Sequence, residues 1–282
     1  MMRKTFFCRA LLCLCVLAGK SGGIILAAQS EAAGNDSPFR LNALNESIQI
    51  SAGAALTGSA ILCDKVFKIK PDDFETWQGN RGEIPAFERG LMRPYSKPLH
   101  YLGTGTAALA VLSPGIMALA PSDQYLTMGV MYGETLLWAY GLKEWGKLIV
   151  QRARPYMYFD NYPQDKVADG DWENSFPSGH TTLAFAGAAF TTYLFGQYFP
   201  DSAWRFAVAG ISFGIAATTG ALRIASGNHF LTDALTGAVI GTLCGFAVPF
   251  FHSAQFYNKI GKKDRAEVTI TPLGLNVKLF LD

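Results

Sequence analysis

Six apolar segments recur along this chain of 282 residues, and each is about 17 to 20 residues long, close to the length of a bilayer-spanning helix. In chain order they are Ser47–Cys63, Tyr101–Ala120, Gln124–Leu142, Thr181–Phe199, Trp204–Leu222 and Ala234–Phe251. Such long apolar runs predict helices, and within them only Glu134 and Arg205 carry a charge. The sequence therefore predicts an all-α bundle of six helices over residues 47–258.

The segments reach the length of a bilayer-spanning helix only at its lower edge. They are rich in Gly, Ala and Thr, and the mean hydropathy of the chain, +0.17, is low for a protein with six membrane spans. Two interpretations fit: the helices span a membrane and pack closely through small residues, or they form a soluble bundle with a very apolar core. We expect the membrane-embedded bundle. The aromatic stretch Tyr156–Tyr162 fits either a bilayer interface or the packing of a loop.

The chain opens with early positive charge, an apolar middle and small residues, which is typical of a secretory signal peptide over residues 1–33. A polar linker follows at 34–46, and the alternating tail at 259–282 predicts a small β-hairpin. Three of the five cysteines lie in the leader, and we expect Cys63 and Cys244 to be buried thiols rather than a disulfide. The near-neutral charge balance gives no reason to expect nucleic acid as a partner.

Polar residues gather at three segment ends. The sequence "KEWGKLIVQRARP" closes the third segment, "PSGH" opens the fourth, and "LRIASGNHFLTD" joins the fifth to the sixth. In an up-and-down bundle the end of an odd-numbered helix and the start of the next helix lie on one face, so these three clusters are expected to meet. A long polar stretch, Asp64–His100, is expected to be an ordered loop with short helices.

The first two clusters hold residue types that bind anions. Lys147 and Arg154 lie seven residues apart, which predicts one stripe of a helix that Pro155 ends. Gly179 lets the backbone approach a ligand at a helix start, where amide groups favour anions, and His180 follows on the first turn.

The third cluster adds an imidazole with a carboxylate partner. His229 and Asp233 are four residues apart, so on a helix the carboxylate can fix the imidazole tautomer and leave the other nitrogen free. Arg223 adds a third cation. Three cations, a helix N-terminus and two histidines suit a tetrahedral oxyanion such as phosphate.

Other polar residues receive structural interpretations. Lys143 and Arg152 fit a cationic flank that anchors a helix end at a membrane surface. We expect His100 and His252, near segment ends, to pack at helix interfaces. Glu134 is expected to form a hydrogen bond to a neighbouring helix or loop, with a functional intramembrane role as the alternative.

Taken together, the three clusters resemble the motifs of the type 2 phosphatidic acid phosphatase (PAP2) superfamily. The matching residues are Lys147, six residues, then Arg154-Pro155; Pro177-Ser178-Gly179-His180; and Arg223, five residues, His229, three residues, Asp233. The helix pattern extends the likeness over Ser47 to Phe251. One departure is Leu222, where the family usually has Ser, and this bears on substrate preference more than on chemistry.

The resemblance implies a six-helix fold of the PAP2/chloroperoxidase type and a role for each motif residue. His229 attacks phosphorus, Asp233 orients and stabilises the imidazole, and His180 protonates the leaving alcohol and then activates water. The phosphoryl oxygens would be bound by Lys147, Arg154, Arg223, Ser178 and the Gly179 amide. No cofactor and no metal ion are implied at this site.

The resemblance thus implies a metal-independent phosphatase that acts through a phosphohistidine, and with the apolar segments we expect its substrate to be a lipid phosphate monoester or diphosphate. Lipid A, phosphatidate, phosphatidylglycerol phosphate and undecaprenyl diphosphate all fit, with membrane lipid around the protein and no obligate protein partner. We expect an inner-membrane protein of the cell envelope whose site faces the periplasm, although Lys and Arg residues in the 64–100 loop favour a cytoplasmic face. Alternatives are a soluble periplasmic acid phosphatase, a vanadium-dependent haloperoxidase and a non-enzymatic membrane protein with a vestigial pocket.

Overall fold

The computed structural model describes residues 37–67, 79–261, 265–271 and 274–280. Its long helices are α1 Ala43–Phe67, α3 Lys97–Leu112, α4 Tyr125–Val150, α6 Gly179–Tyr198, α7 Trp204–Ala225 and α8 Leu231–Phe251. Shorter helices are α2 Ala86–Arg89, α5 Gln164–Ala168 and α9 Ala254–Gly261. Each of the six apolar segments overlaps one long helix, so the helical fold class is confirmed. The leader at 1–33 lies outside the described residues.

The long helices pack around α6, which contacts α3, α4, α7 and α8. The outer helix α1 packs along α4 and runs parallel to it, since a Cβ on Gly53 would lie 2.9 Å from Leu137 Cδ2 and, further along both helices, Trp145 Nε1 donates to Ser59 Oγ at 3.2 Å. The chain then alternates direction from α3 to α8. One end of the bundle therefore gathers the starts of α3, α6 and α8 with the ends of α4 and α7.

Small residues let the central helices approach closely. A Cβ on Gly245 of α8 would lie 2.7 Å from Ala189 Cβ, and one on Gly237 would lie 2.7 Å from Ser178 O. Buried alanines line α6 on two sides: Ala186 and Ala189 face α8, whereas Ala184 and Ala188 pack against α3 and α7. This close packing fixes the start of α6 against the start of α8, where two of the sequence motifs lie.

Three helical segments are long and apolar enough to cross a membrane: Lys97–Leu119, Trp204–Ala225 and Leu231–Phe251. The sequence predicted six apolar helices in a membrane-embedded bundle, and among the described residues these three meet the length and composition of a membrane span. On α8, Leu235, Val239 and Leu243 are four residues apart and all point outward. This stripe gives α8 an apolar outer face.

The described residues bear on several smaller expectations. Cys63 and Cys244 are both buried and no disulfide joins them, as expected. The aromatic stretch packs a loop, because Tyr156 and Met157 are buried against Trp172.

In the tail, β1 Arg265–Thr271 pairs antiparallel with β2 Gly274–Phe280, with Arg265 opposite Phe280. The connection at 272–273 lies outside the described residues, so the hairpin as a closed unit stays a prediction.

Candidate active site

The three polar clusters meet at one end of the bundle, as the alternation of helices predicts. Two local expectations were wrong. Helix α4 ends at Val150, where Gln151 takes a left-handed φ of 46°, so Arg154 lies in extended chain beyond the helix rather than on a stripe with Lys147. Helix α8 begins at Leu231, so His229 precedes the helix that holds Asp233. Arg154 and His229 therefore both lie in loops beside helix ends.

His229 is buried, and its two ring nitrogens have different partners. Nδ1 lies 2.7 Å from the Ser175 carbonyl oxygen, which can only accept, so Nδ1 carries the proton. Nε2 lies 3.2 Å from Arg154 Nη1, a donor, so Nε2 presents its lone pair. Burial, followed by the charges of Arg154 and Arg223, holds the pKa of His229 well below its usual range. His229 is therefore neutral at pH 7, with an unprotonated Nε2 that faces Arg154.

Arg154 is held in place by acceptors on two loops. Its Nη2 donates to Asp171 Oδ1 at 2.7 Å, Nε donates to Asp171 O at 2.9 Å, and Nη1 donates to Asn228 O at 3.0 Å. Burial alone would raise the pKa of Asp171, but the Arg154 guanidinium outweighs it and lowers the value to about 2. The charged pair fixes the guanidinium beside His229.

Asp233 does not hold the imidazole directly. Its Oδ2 lies 3.8 Å from His229 Nδ1, beyond hydrogen-bond range. Instead Oδ2 accepts from Ser175 Oγ at 2.5 Å and from the Phe230 amide at 2.8 Å. The expected hydrogen bond is therefore replaced by an indirect contact, in which Asp233 fixes the Ser175 segment whose carbonyl orients His229.

Arg152 binds residues of the site. It does not anchor a helix end at a membrane surface, as its sequence position suggested. Its Nη1 donates to Asp233 Oδ1 and its Nη2 to Glu88 Oε2, both at 2.7 Å. Glu88 is buried and its Oε1 accepts from the amide and hydroxyl of Thr232, at 3.0 and 2.7 Å. The guanidinium also lies 3.8 Å from the centre of the Phe230 ring. A chain of charged contacts thus runs from Glu88 to Asp233.

His180 and Arg223 form the other side of the site, together with His100. His180 Nε2 lies 3.3 Å from Thr104 Oγ1, and burial, then the charge of Arg223, lowers the pKa of His180 to about 3. Arg223 Nη1 lies 3.1 Å from His100 Nδ1, and the rings of His100 and His180 are 6.4 Å apart. His100 is therefore part of the site and does not merely pack at an interface. Arg223 Nε is buried without a hydrogen-bond acceptor among the described residues.

The remaining phosphate-binding candidates lie around the start of α6. Lys147 Nζ lies 3.3 Å from Glu144 Oε1, which Lys143 also contacts. The Lys143 side chain runs past Gly179, whose added Cβ would lie 3.1 Å from Lys143 Cδ, so Lys143 is buried in the bundle and not a surface flank. Ser178 Oγ is 2.8 Å from Thr181 Oγ1, a contact within the first turn.

The turn between Arg223 and His229 depends on a glycine. Gly227 takes a φ of +73°, and an added Cβ would lie 2.5 Å from Arg93 O and 2.7 Å from Pro94 O. Leu222, at the position of the expected Ser, packs its Cβ against Gly103 of α3 and so joins α7 to α3. The departure at Leu222 thus serves helix packing.

Comparison with solved structures returns two bacterial proteins. The crystal structure of Aquifex aeolicus LpxE has a TM-score of 0.39 and 22% identity, over 57% of this chain and 92% of that one. The PAP2-type phosphatidylglycerolphosphate phosphatase from Bacillus subtilis has a TM-score of 0.38 and 20% identity, over 93% and 98% of the two chains.

Two curated relatives are similar in sequence. Lipid A 1-phosphatase of Porphyromonas gingivalis is 36% identical over 110 residues, which are 36% of this chain and 23% of that protein. The bacitracin transport permease protein BcrC of Bacillus licheniformis is 32% identical over 104 residues, 36% of this chain and 46% of that protein. The matches thus span less than half the length of either relative. The PAP2 superfamily profile matches residues 129–257, a range that contains all three motifs, and this part of the chain belongs to the PAP2 superfamily.

Proposed function

We propose that this protein is a phosphatase that hydrolyses a lipid phosphate monoester or diphosphate through a phosphohistidine at His229. The observation that carries the proposal is the state of that imidazole: neutral, protonated on Nδ1, with Nε2 next to Arg154. A neutral nitrogen with its lone pair directed into a cationic pocket is suited to attack phosphorus. Phosphate is the anion whose charge the pocket complements.

In the first step, the Nε2 lone pair of His229 forms a bond to phosphorus while the bond from phosphorus to the leaving oxygen breaks. Arg154, Arg223 and Lys147, with the Gly179 amide at the start of α6, stabilise the negative charge on the phosphoryl oxygens. Ser178 is a further candidate donor if its hydroxyl turns from Thr181. Asp233 acts through Ser175 and also lies 3.8 Å from Nδ1, where its charge favours the positive ring that forms.

His180 completes the cycle by moving a proton. The leaving oxygen takes a proton from His180, and His180 then takes one from the water that attacks the phosphohistidine and releases phosphate. The pKa of about 3 keeps His180 neutral in the free protein at pH 7. A bound phosphate dianion raises that pKa, because nearby negative charge favours the protonated ring. We therefore expect His180 to gain its proton together with the substrate.

Two observations favour a lipid as the substrate. One curated relative is a lipid A 1-phosphatase, and three helical segments are apolar enough to cross a membrane. Lipid A, phosphatidate, phosphatidylglycerol phosphate and undecaprenyl diphosphate are the candidate substrates. We propose an envelope membrane location with the site on the extracytoplasmic side, and no obligate protein partner.

Phosphate release tests this proposal. Purified full-length protein in detergent is given each candidate lipid and a water-soluble phosphomonoester, with and without EDTA. We expect release from one lipid in both conditions and a loss of at least ~100-fold in His229→Ala, the scale of a lost catalytic group. Asp201→Asn, an exposed residue between α6 and α7 at the opposite end, should retain full activity.

Two other outcomes would change the proposal. Release from the soluble ester alone would reject the lipid substrate and keep the phosphatase. Release from none of the substrates would reject the phosphatase, and vanadate binding with halide oxidation would then distinguish the haloperoxidase.

A further inference from the structure

At the end of the bundle opposite the active site, three ionisable side chains from three helices meet. His252 follows the end of α8, Glu134 lies within α4, and Glu46 lies in the first turn of α1. Asp233 and His252 are separated by 19 positions along α8, about 28 Å at 1.5 Å per residue. We propose that Glu46, Glu134 and His252 bind a divalent transition-metal ion, with Zn²⁺ as the best fit, that joins α1, α4 and α8.

The positions of the donor atoms fit such an ion. His252 Nε2 lies 3.0 Å from Glu46 Oε1 and 3.2 Å from Glu134 Oε2, and one ligand atom from each residue falls within 4.8 Å of the others. Ligand atoms on a tetrahedral Zn²⁺ at its usual bond lengths are about 3.4 Å apart. The two His252 contacts are within a few tenths of an ångström of that spacing, and the two carboxylate oxygens lie no more than 4.8 Å apart.

The imidazole is already oriented for coordination. His252 is fully buried, and its Nδ1 lies 2.8 Å from the Val248 carbonyl oxygen, so Nδ1 carries the proton. A backbone carbonyl on the second ring nitrogen is the usual support for a metal-binding histidine. Nε2 is left to face both carboxylates.

The protein's own donors satisfy Glu46, whose Oε1 accepts from the Asn42 amide at 3.3 Å, but not Glu134. Glu134 is 2% exposed, and among the described residues neither of its carboxylate oxygens has a hydrogen-bond donor of good geometry. If His252 is protonated, it offers one Nε2–H to two carboxylates, which leaves a net negative charge in a buried position. A divalent cation with neutral His252 brings the net charge to zero and bonds all three groups. Glu46 is partly exposed, which provides a route for entry and for a water ligand.

Metal content of the purified protein tests the proposal independently of the phosphatase activity. Full-length protein is stripped with EDTA, incubated with Zn²⁺, freed of unbound metal and measured by mass spectrometry. We expect about one Zn²⁺ per chain, a melting temperature several degrees higher than that of the stripped protein, and no similar rise with Mg²⁺. His252→Gln and Glu134→Gln should lose both effects, and Asp201→Asn should keep them.

Cobalt spectroscopy keeps the test valid if the variants do not fold. Co²⁺ bound to wild-type protein should show the visible bands of a site with oxygen and nitrogen ligands, without the near-ultraviolet band of a thiolate. A thiolate band would instead assign the metal to a site that contains a cysteine and would contradict the proposal. Absence of bound metal, or equal binding in His252→Gln, would show that the cluster is only an ion pair of protonated His252 with the two carboxylates.

Discussion

At the scale of single residues, one backbone hydrogen bond orients His229, the proposed nucleophile. The Ser175 carbonyl accepts from His229 Nδ1, and this fixes the lone pair on Nε2. The carboxylate of Asp233 acts on His229 indirectly, because it accepts hydrogen bonds from Ser175 Oγ and from the Phe230 amide. A carbonyl orients the ring without titrating, so the tautomer is independent of pH as long as the ring stays neutral.

The low pKa values of the two site histidines predict that neither titrates near neutral pH. A lowered pKa means that the neutral ring persists as the pH falls, so the His229 ring stays neutral in mild acid. With ¹³C-labelled histidine and NMR, we expect the signals of His229 and His180, assigned with His229→Asn and His180→Asn, to stay constant from about pH 7.5 to about pH 5.5. A midpoint near the ordinary value of about 6.5 would contradict this.

The contacts of Arg152 predict a positioning role. Arg152→Met should lower kcat by about 10- to 100-fold and change KM much less, because Asp233 and the Ser175 segment lose their anchor while the phosphate ligands remain. Arg152→Lys should restore part of kcat. Arg89→Met is the matched control, since Arg89 donates to the carbonyls of Gly82 and Ile84 and not to the site.

Steady-state kinetics on the preferred substrate measures both constants. If Arg152→Met does not fold, Glu88→Gln tests the same contact, because it removes the charge and keeps a hydrogen-bonding group. A rise in KM with unchanged kcat in these variants would place Arg152 in substrate binding and contradict the positioning role.

At the scale of helices, the turn before α6 packs closely against α4 because Gly146 has no side chain. A Cβ on Gly146 would lie 2.5 Å from Pro177 Cδ, whereas a Cβ on Gly133 of the same helix would meet nothing within 4 Å. The "PSGH" turn thus packs against the last turns of α4, next to Lys147. The position of His180 depends on this contact.

Gly146→Ala should therefore destabilise the protein by about 1 to 3 kcal/mol, the usual cost of overpacking, and lower kcat by displacing the turn. Gly133→Ala should leave stability equal or slightly higher, because alanine favours a helix. Thermal unfolding and phosphate release measure the two effects. Equal melting temperatures for the two variants would show that Pro177 does not pack against Gly146.

The sequence predicted those parts of the fold and site that depend on local spacing. The length and polarity of the apolar segments predicted six helices. The alternating direction of successive helices predicted that the three motifs lie at one end of the bundle. Ser175, Glu88 and His100 were not identified because their roles come from long-range contacts. Glu88 binds Thr232 across 144 positions, and His100 meets Arg223 across 123. The direct Asp233 contact was wrong because α8 begins two residues after His229, so the i to i+4 geometry of a helix does not apply.

At the scale of the whole molecule, the bundle has two chemically different ends, with the cationic site at one and the Glu46–Glu134–His252 cluster at the other. Apolar side chains such as Phe206, Leu235 and Leu243 point outward between them. This distribution matches a protein with lipid around its middle and polar groups at two water-facing ends. The two ends should then lie on opposite sides of a membrane.

Cysteine labelling tests this orientation. In a cysteine-free background, Asp160→Cys at the active-site end should react with an impermeant maleimide added to cells whose outer membrane is permeable. Asp201→Cys at the opposite end should react only after the inner membrane is broken. The reverse pattern would place the active site in the cytoplasm, and labelling of both positions in intact cells would contradict a membrane-spanning bundle.

The central claim is that His229 is the residue that takes the phosphoryl group. Rapid quenching of the protein with substrate labelled by ³²P at its reactive phosphate, followed by peptide mapping under alkaline conditions, tests it most directly. We expect an acid-labile label on the peptide that contains His229, and none in His229→Ala. Label on another residue, or hydrolysis by wild-type protein without any labelled enzyme, would contradict the account.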